Sequence, residues 1–332
     1  MEGFPAGAIL SITTDDFDEF RQLSVGWDAD YYLIGRGKPR IKTFAVMTQS
    51  VQLALVEHYL GYSAQGNNPR GCLTFIVPLD EDQPMLHRSS SLDNLQMGVT
   101  HSGKGFELVN PIGSRHLLAS VSQTVLEQYA ADLRREPLRK GDFADRIGFQ
   151  NKTNRLQYVE ACQTILDAVQ RQPDLLANPR SISLLEEKLL TNVVLQTSSE
   201  LSDSSAAFRY PVARRAFAYL QEQLEAVPSI RDICARTGAS YATLERGFRE
   251  TYGMTPQAYL NAVRLSRARR ELRQPNVNTN VSSVAIHWGF LELGRFSVQY
   301  RQRFGETPSE TLRKARGDSR LLANHDPRRR IA

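Results

Sequence analysis

Two stretches in the last third of the chain decide how it is read: Ser229-Ile-Arg-Asp-Ile-Cys-Ala-Arg-Thr-Gly-Ala-Ser-Tyr-Ala-Thr-Leu-Glu-Arg-Gly-Phe248 and Val281-Ser-Ser-Val-Ala-Ile-His-Trp-Gly-Phe-Leu-Glu-Leu-Gly-Arg-Phe-Ser-Val-Gln-Tyr300. Ile230, Ile233, Cys234, Gly238, Leu244 and Phe248 of the first recur as Val281, Val284, Ala285, Gly289, Phe296 and Tyr300 of the second. Gly253 and Pro256 then recur as Gly305 and Pro308. The offset is 51 residues at the first helix and turn and 52 from the second helix onward, which a one-residue insertion at the turn explains. The pattern predicts a helix-turn-helix that occurs twice and holds two helices out toward DNA.

In the first unit Ser229 is suited to cap a helix, and Asp232 lies near the positive end of its dipole. Gly238 can take the positive φ of a sharp turn, and Ser240 caps the next helix. Tyr241, Leu244 and Phe248 are expected to point inward, leaving Ala242, Thr243, Glu245, Arg246 and Arg249 outward. A recognition helix reads base edges with its N-terminal outward residues. Arg246 suits a bidentate guanine contact and Glu245 can accept from cytosine N4, while Arg249, nearer the helix end, suits a phosphate.

Thr255-Pro256 opens a long helix, with Pro at the first position where its missing N–H costs nothing. Leu260, Val263, Ala268 and Leu272 give it an apolar face, and Arg264, Arg267, Arg269, Arg270 and Arg273 make it basic. Such a helix can set the distance between the two reading helices, with one duplex turn of about 34 Å placing them in successive major grooves. In the second unit Val281, Val284, Ala285 and Ile286 form the supporting helix, Trp288-Gly289-Phe290 the turn, and Phe296 and Tyr300 the inward anchors. Leu293, Gly294, Arg295, Ser297, Val298 and Gln299 face out. Leu293 and Val298 offer only apolar contact, for instance to a thymine methyl, so this helix is expected to position more than to specify. Arg295 and Arg301 join Arg249, Arg264, Arg267 and Arg273 as candidate phosphate ligands. Gly238, Ser240, Phe248, Gly289 and Phe296 hold the two motifs together.

The C-terminal 120 or so residues resemble the AraC/XylS transcription regulators. The resemblance rests on Ser240, Leu244, Arg246 and Phe248; on Gly253, Pro256, Tyr259 and Leu260; and on Arg264, Leu265 and Ala268. It continues through Trp288-Gly289-Phe290, Phe296, Tyr300 and Phe304-Gly305-x-Thr307-Pro308-Ser309. It implies a monomeric DNA unit of seven helices, with Ala242, Glu245 and Arg246, then Leu293, Gly294, Ser297 and Val298, at the base-contacting positions. Gly294 and Val298 depart from the small polar and polar or basic residues usual there, which weakens base reading by the second helix. Activation, and so RNA polymerase as a partner, is the commoner mode in the resembled family. The run Trp288–Phe296 is similar to the ethanolamine-utilisation regulator branch, which would imply a small amine or cobalamin as inducer.

Charge sharpens the division of the chain. From Ser205 to Ala332 there are 22 Lys+Arg against 11 Asp+Glu, and Lys314 is the only Lys among them; Met1 to Ser204 carries 19 against 25. A guanidinium fork matches phosphate and guanine edges better than an ammonium does. A solvated basic surface accounts for the composition equally well; the repeat favours nucleic acid. The polar run Thr197–Ser205 has linker chemistry. The expected domains are therefore 1–196 for effector binding and dimerisation, 197–208 as linker, and 209–332 for DNA.

The N-terminal region reads as α+β. Tyr31–Ile34, Ile41–Met47, Val51–Val56, Cys72–Val77, Phe106–Val109 and Leu117–Val121 have strand composition, with Gly66-Asn-Asn-Pro69 and Ser102-Gly-Lys-Gly105 as breaks between strands. A small closed barrel or cupin-like jelly roll is the natural closure for such strands. Helical stripes follow at Val121, Val125, Tyr129 and Leu133, then Leu156, Val159, Cys162, Leu166 and Val169, then Ile182, Leu185, Leu189 and Val193, flanked by Leu184, Leu190 and Val194. Packing on the barrel is favoured for the first stripe; packing and a homodimer seam remain open for the other two. A small-molecule effector of unknown identity is expected here.

Rival readings find less support. A cupin-type metal enzyme would need grouped ligands, but His58, His87, His101, His116, His287 and His325 form no HxH or HExxH pattern. Alkyl-transfer repair would need an activated thiol, and Cys72, Cys162 and Cys234 are isolated; Cys234 sits on an apolar stripe and reads as a small buried core residue. A non-specific architectural binder would not need Gly238, Ser240 and Arg246 arranged for readout. No enzyme activity, cofactor or metal is expected. No apolar stretch approaches the roughly 20 residues of a membrane span, and the N-terminus lacks secretory features, so a cytoplasmic location is expected.

Overall fold

The computed structural model describes residues 4–34, 37–80, 85–88, 90–134, 143–196, 211–222, 228–252 and 254–323. The chain divides into two compact units: Met1–Tyr31 with Pro39–Arg209, and Tyr32–Lys38 with Tyr210–Ala332. The expected linker, 197–208, lies outside the described residues.

The first unit is built on strands β1 (Ile9–Thr14), β2 (Asp28–Leu33), β3 (Ile41–Met47), β4 (Val51–His58), β5 (Tyr62–Asn67) and β6 (Cys72–Pro78). These are followed by β7 (Met85–His87), β8 (Ser90–Leu92), β9 (Gln96–His101), β10 (Phe106–Asn110), β11 (Arg115–Ser122) and β12 (Arg146–Gly148). Helices α1 (Phe17–Leu23), α2 (Gln123–Arg134), α3 (Lys152–Arg171) and α4 (Pro179–Gln196) accompany them. One sheet has the order β1-β3-β4-β11-β6-β9-β12 and the other β2-β5-β10-β7-β8.

The strands of the larger sheet serve two cores. Leu53, Leu73, Phe75, Val77, Val99, Leu117, Ala119 and Val121 pack with Leu126, Cys162, Ile165, Leu166, Val169, Leu189 and Val193 of α2, α3 and α4. On the other face Ile76 and Leu118 meet Tyr62, Ala64, Phe106 and Leu108 of the smaller sheet. Each such side chain contributes roughly 1.5–3 kcal/mol on full burial. Burial on both faces also explains why β6 is covered along its whole length instead of alternating.

The expectation of one closed barrel is corrected to two open sheets, whose end strands are β1 and β12 in one and β2 and β8 in the other. The physical reason is the helical layer: the larger sheet covers its second face with α2–α4 and has no need to curl shut. Gly66 and Asn67, read as a break, lie inside β5. A Cβ at Gly66 would collide with the Asp28 backbone, so the glycine serves the close approach of β5 to β2. The helical stripes are also shifted. Leu126 and Ala130 are the buried residues of α2, while Leu133, and Leu156 of α3, are exposed. The inward faces of α3 and α4 pack on the sheet, and Glu186 of α4 accepts hydrogen bonds from the Thr48 and Ser50 hydroxyls at the β3–β4 hairpin.

The described residues of the second unit form the helices α5 (Pro211–Glu222), α6 (Ile230–Thr237), α7 (Tyr241–Tyr252), α8 (Pro256–Arg273), α9 (Val281–His287), α10 (Leu293–Phe304) and α11 (Pro308–Ala323). Among the described residues these are seven helices, the number the resemblance implied. Gly253 lies outside the described residues. Among the described residues no helix is long and apolar enough to cross a membrane.

Candidate nucleic-acid interface

The first motif is fixed at each end by backbone chemistry. Ser229 and Asp232 form a reciprocal capping box on α6, with the Asp232 N–H donating to Ser229 Oγ at 3.2 Å and the Ser229 N–H to the carboxylate at 2.8 Å. The Ser229 hydroxyl also donates to that carboxylate, at 2.7 Å, and this bond with the one from the Ser229 N–H holds the Asp232 carboxyl below its usual range. Gly238 ends the helix at φ 67°. A Cβ there would meet nothing within 4 Å, so the backbone angle alone requires glycine. Ser240 Oγ then accepts from the Thr243 N–H at 3.3 Å and starts α7.

On α7 the side chains of Leu244 and Phe248 are fully buried, which turns Ala242, Arg246 and Arg249 to the exposed face, with Thr243 and Glu245 half-buried beside them. Arg249 pairs with Glu245 at 3.0 Å. The two residues assigned separately to phosphate and cytosine are thus partners of each other. Tyr241, expected to point inward, is 44% exposed: it stands on the first turn of α7, where the inward side is already filled by Leu244 and Phe248. Cys234 is likewise half-buried and not a core residue.

Helix α8 begins with Thr255 accepting from the Ala258 N–H at 3.1 Å and Pro256 at the first position. Its 18 residues span about 27 Å. Tyr259, Leu260, Val263, Leu265, Ala268 and Leu272 are buried. Arg264, Arg267 and Arg273 are half-buried. Arg264 donates to the Pro228 carbonyl at 3.1 Å, and burial lowers its pKa.

In the second motif Asn280 and Ser283 form the capping box of α9, a signal present in the sequence but not used above. Gly289 takes φ 79° at the turn. Phe296 and Tyr300 are fully buried, while Leu293, Gly294, Arg295, Val298 and Arg301 are exposed and Ser297 is half-buried. Ser297 Oγ donates to the Leu293 carbonyl at 3.0 Å. Ile286, assigned to the supporting face, is 58% exposed, because Val284 and Ala285 already fill the contact of this short helix.

Sequence reading missed the polar framework behind α10. Glu271 of α8 accepts from Trp288 Nε1 at 2.7 Å and pairs with His287 Nδ1 at 3.0 Å. Asn261 Nδ2 donates to Gln299 Oε1 at 3.1 Å, tying α8 to α10. Tyr300 donates to Thr311 Oγ1 at 2.9 Å, which donates to Glu306 at 2.8 Å. Lys314 reaches the same carboxylate at 2.7 Å and Arg269 stands 3.6 Å away. Burial pulls the Glu306 carboxyl upward, but the bonds from Lys314 and Thr311 and the Arg269 charge outweigh it and hold it low. The partners of Glu271 and Asn261, and the Arg269–Glu306 approach, join positions distant in sequence, so no local pattern announces them.

Among the described residues no three His, Cys, Asp or Glu side chains group as a metal site. Burial pushes the Cys72 and Cys162 thiols up to about 11 and about 12, the opposite of an activated nucleophile.

Two capped and turned helix pairs, each with an anchored second helix exposing its N-terminal half, define a tandem helix-turn-helix protein. A family profile described as a helix-turn-helix domain matches residues 233–314. The chain is 35% identical over 103 residues to the probable thc operon regulatory protein of Rhodococcus erythropolis, covering 31% of each chain. It is 31% identical over 137 residues to XylDLEGF operon transcriptional activator 2 of Pseudomonas putida, covering 40% of this chain and 87% of that protein. Among solved structures, a probable AraC family transcriptional regulator from Rhodopseudomonas palustris is 34% identical, covering 31% of this chain and 96% of that one with a TM-score of 0.30. The chain belongs to the AraC/XylS family of transcription regulators, a family of regulators and not of enzymes. The match to the Rhodococcus protein spans under a third of that protein's length.

Proposed function

We propose that this regulator is a sequence-specific activator that grips duplex DNA with both helix-turn-helix motifs and responds to a small molecule held in its first unit. Residues 209–332 supply DNA binding, 1–196 effector binding and dimerisation, and 197–208 the linker. The first unit, with its two facing sheets, is read as a cupin-like jelly roll. A homodimer, recruitment of RNA polymerase and a cytoplasmic location follow from that role.

One observation carries the reading. Arg246 stands on the exposed face of α7, whose opposite face is locked by Leu244 and Phe248. Ala242, Thr243, Glu245 and Arg246 then read one major groove, and Leu293, Gly294, Ser297 and Val298 meet the next. Arg249, Arg264, Arg267, Arg273, Arg295 and Arg301 supply phosphate contacts, so that affinity falls by orders of magnitude between low and moderate salt.

The test is genomic footprinting of the tagged protein, followed by binding assays on the recovered operator and on random DNA. Arg246→Ala is expected to cost about 1–3 kcal/mol on the operator alone and to relax one base position. Arg273→Ala weakens binding to all sequences alike and flattens the salt dependence. Equal losses for both variants on both DNAs would overturn the assigned roles.

A further inference from the structure

The inner faces of the two sheets, with α1 and the segment after it, line a partly open cavity that the proposed DNA-binding residues do not reach. Trp27, Tyr31, Tyr62, Phe106, Thr43 and His116 are among its walls. The centre of a water molecule has about 50 Å³ to move in there, room for roughly three to five waters. The free space extends a further water radius to the walls, which suits a single ring.

The polar groups facing this space are few and neutral. Among the described residues no Lys, Arg, Asp or Glu lines it. Gln52 is already committed: its Oε1 accepts from Trp27 Nε1 at 2.8 Å and its Nε2 donates to the Val25 carbonyl at 3.1 Å. Thr43 Oγ1 and His116 Nδ1 have no hydrogen-bond partner, although both side chains are more than nine-tenths buried. Burial, with His58 close by, holds His116 well below its usual range and keeps the ring uncharged. Buried polar atoms in native proteins nearly always find partners, so these two point to something that fills the chamber. The aromatic walls are in edge and tilted contacts with one another, Trp27 with Phe106 at 5.4 Å and Tyr31 with Tyr62 at 5.9 Å, and present apolar ring faces and edges to whatever occupies the space.

We propose that this cavity binds an uncharged, single-ring aromatic molecule carrying a hydroxyl or carbonyl group, with Thr43 and His116, on either side of Val56, as the polar atoms open to it. The proposal rests on the reading of the first unit as a small-molecule sensor, and names the chemistry of what it senses. A carboxylate or ammonium would sit in the chamber without a counter-ion, bearing its full desolvation cost. A bare hydrocarbon would leave both polar atoms unpaired.

The test is calorimetric titration of the full-length chain at neutral pH with benzyl alcohol, toluene, benzoate and benzylamine. Benzyl alcohol is expected to bind saturably, with benzoate and benzylamine at least about ten-fold weaker. Thr43→Val should lower benzyl alcohol affinity about three- to ten-fold and leave toluene unchanged. Benzoate or benzylamine binding as tightly as the alcohol overturns the uncharged class. Absence of saturable binding by all four probes, or an unchanged affinity in Thr43→Val, overturns the site. Failure of the sensor reading has a separate signature: the alcohol binds as expected, but operator footprints are the same with and without it.

Discussion

The two helix-turn-helix motifs share one fold and present opposite chemistry. Helix α7 exposes a charged, hydrogen-bonding face with Arg246 and the Glu245–Arg249 pair. Helix α10 shows Leu293, Gly294 and Val298, with Val298 56% exposed. Behind the exposed faces each motif is braced by contacts of its own. Arg215 and Arg264 brace the first motif through the Thr237 and Pro228 carbonyls. The second is held by Glu271 on Trp288, Asn261 on Gln299 and the Tyr300–Thr311–Glu306–Lys314 chain. On the proposed reading the duplicated motif divides its labour, one copy selecting bases and the other holding register.

The largest expected effect attacks what the copies share. Phe248→Ala and Phe296→Ala each remove a fully buried ring, and each should cost about 3–5 kcal/mol of stability, read from chemical denaturation. A cost confined to one copy would break the equivalence of the two cores.

Next come the braces. Glu271→Ala leaves the indole N–H of Trp288 without its acceptor inside the second motif, at an expected cost of about 1–3 kcal/mol in stability. Specificity on the recovered operator should stay unchanged, because no base-facing side chain is altered. A changed base preference would mean that the mount itself sets readout.

The Glu306 network adds a pH signature. Its carboxyl is held low in the folded protein, so its contribution is complete above the unfolded value of about 4.3 and is lost as pH falls through the lower folded value. Melting temperature followed from neutral pH downward should drop in wild type, and Glu306→Gln should make that drop shallower. The same slope in both would show the chain of bonds to be incidental.

How much of this was readable in advance follows from the range of each interaction. Caps and turns depend on neighbours, so Ser229, Gly238, Ser240, Thr255 and Gly289 could be placed from sequence, and Asn280 could have been. Periodicity located α8 and the anchors Leu244, Phe248, Phe296 and Tyr300, because a helix face repeats. It erred at Tyr241 and Ile286, where a helix end or a short helix has fewer contacts to offer than its pattern suggests. In the first unit strands buried on both faces lose their alternation, which hid β5 and β9 and left the sheet closure unreadable. The chamber walls come from β1 to β5, β10, β11 and α1, and no local rule brings Thr43 and His116 to the two sides of Val56.

Smaller effects probe the exposed face of α10. Val298→Ala removes an exposed apolar surface and should change operator affinity by less than about 1 kcal/mol, against the about 1–3 kcal/mol expected for Arg246→Ala. A comparable loss at Val298 would erase the division of labour.

The smallest effect separates two explanations for Gly294. Nothing lies within 4 Å of a Cβ built there, and glycine inside a helix costs about 0.5–1 kcal/mol relative to alanine. Gly294→Ala should therefore raise stability by roughly half that or more, and a helix that only positions should keep its operator affinity. If affinity instead falls while stability rises, the added methyl must be meeting DNA. Gly294 would then mark a place where the α10 backbone approaches the base edges, and the second motif would read sequence by closeness of fit where it lacks polar side chains.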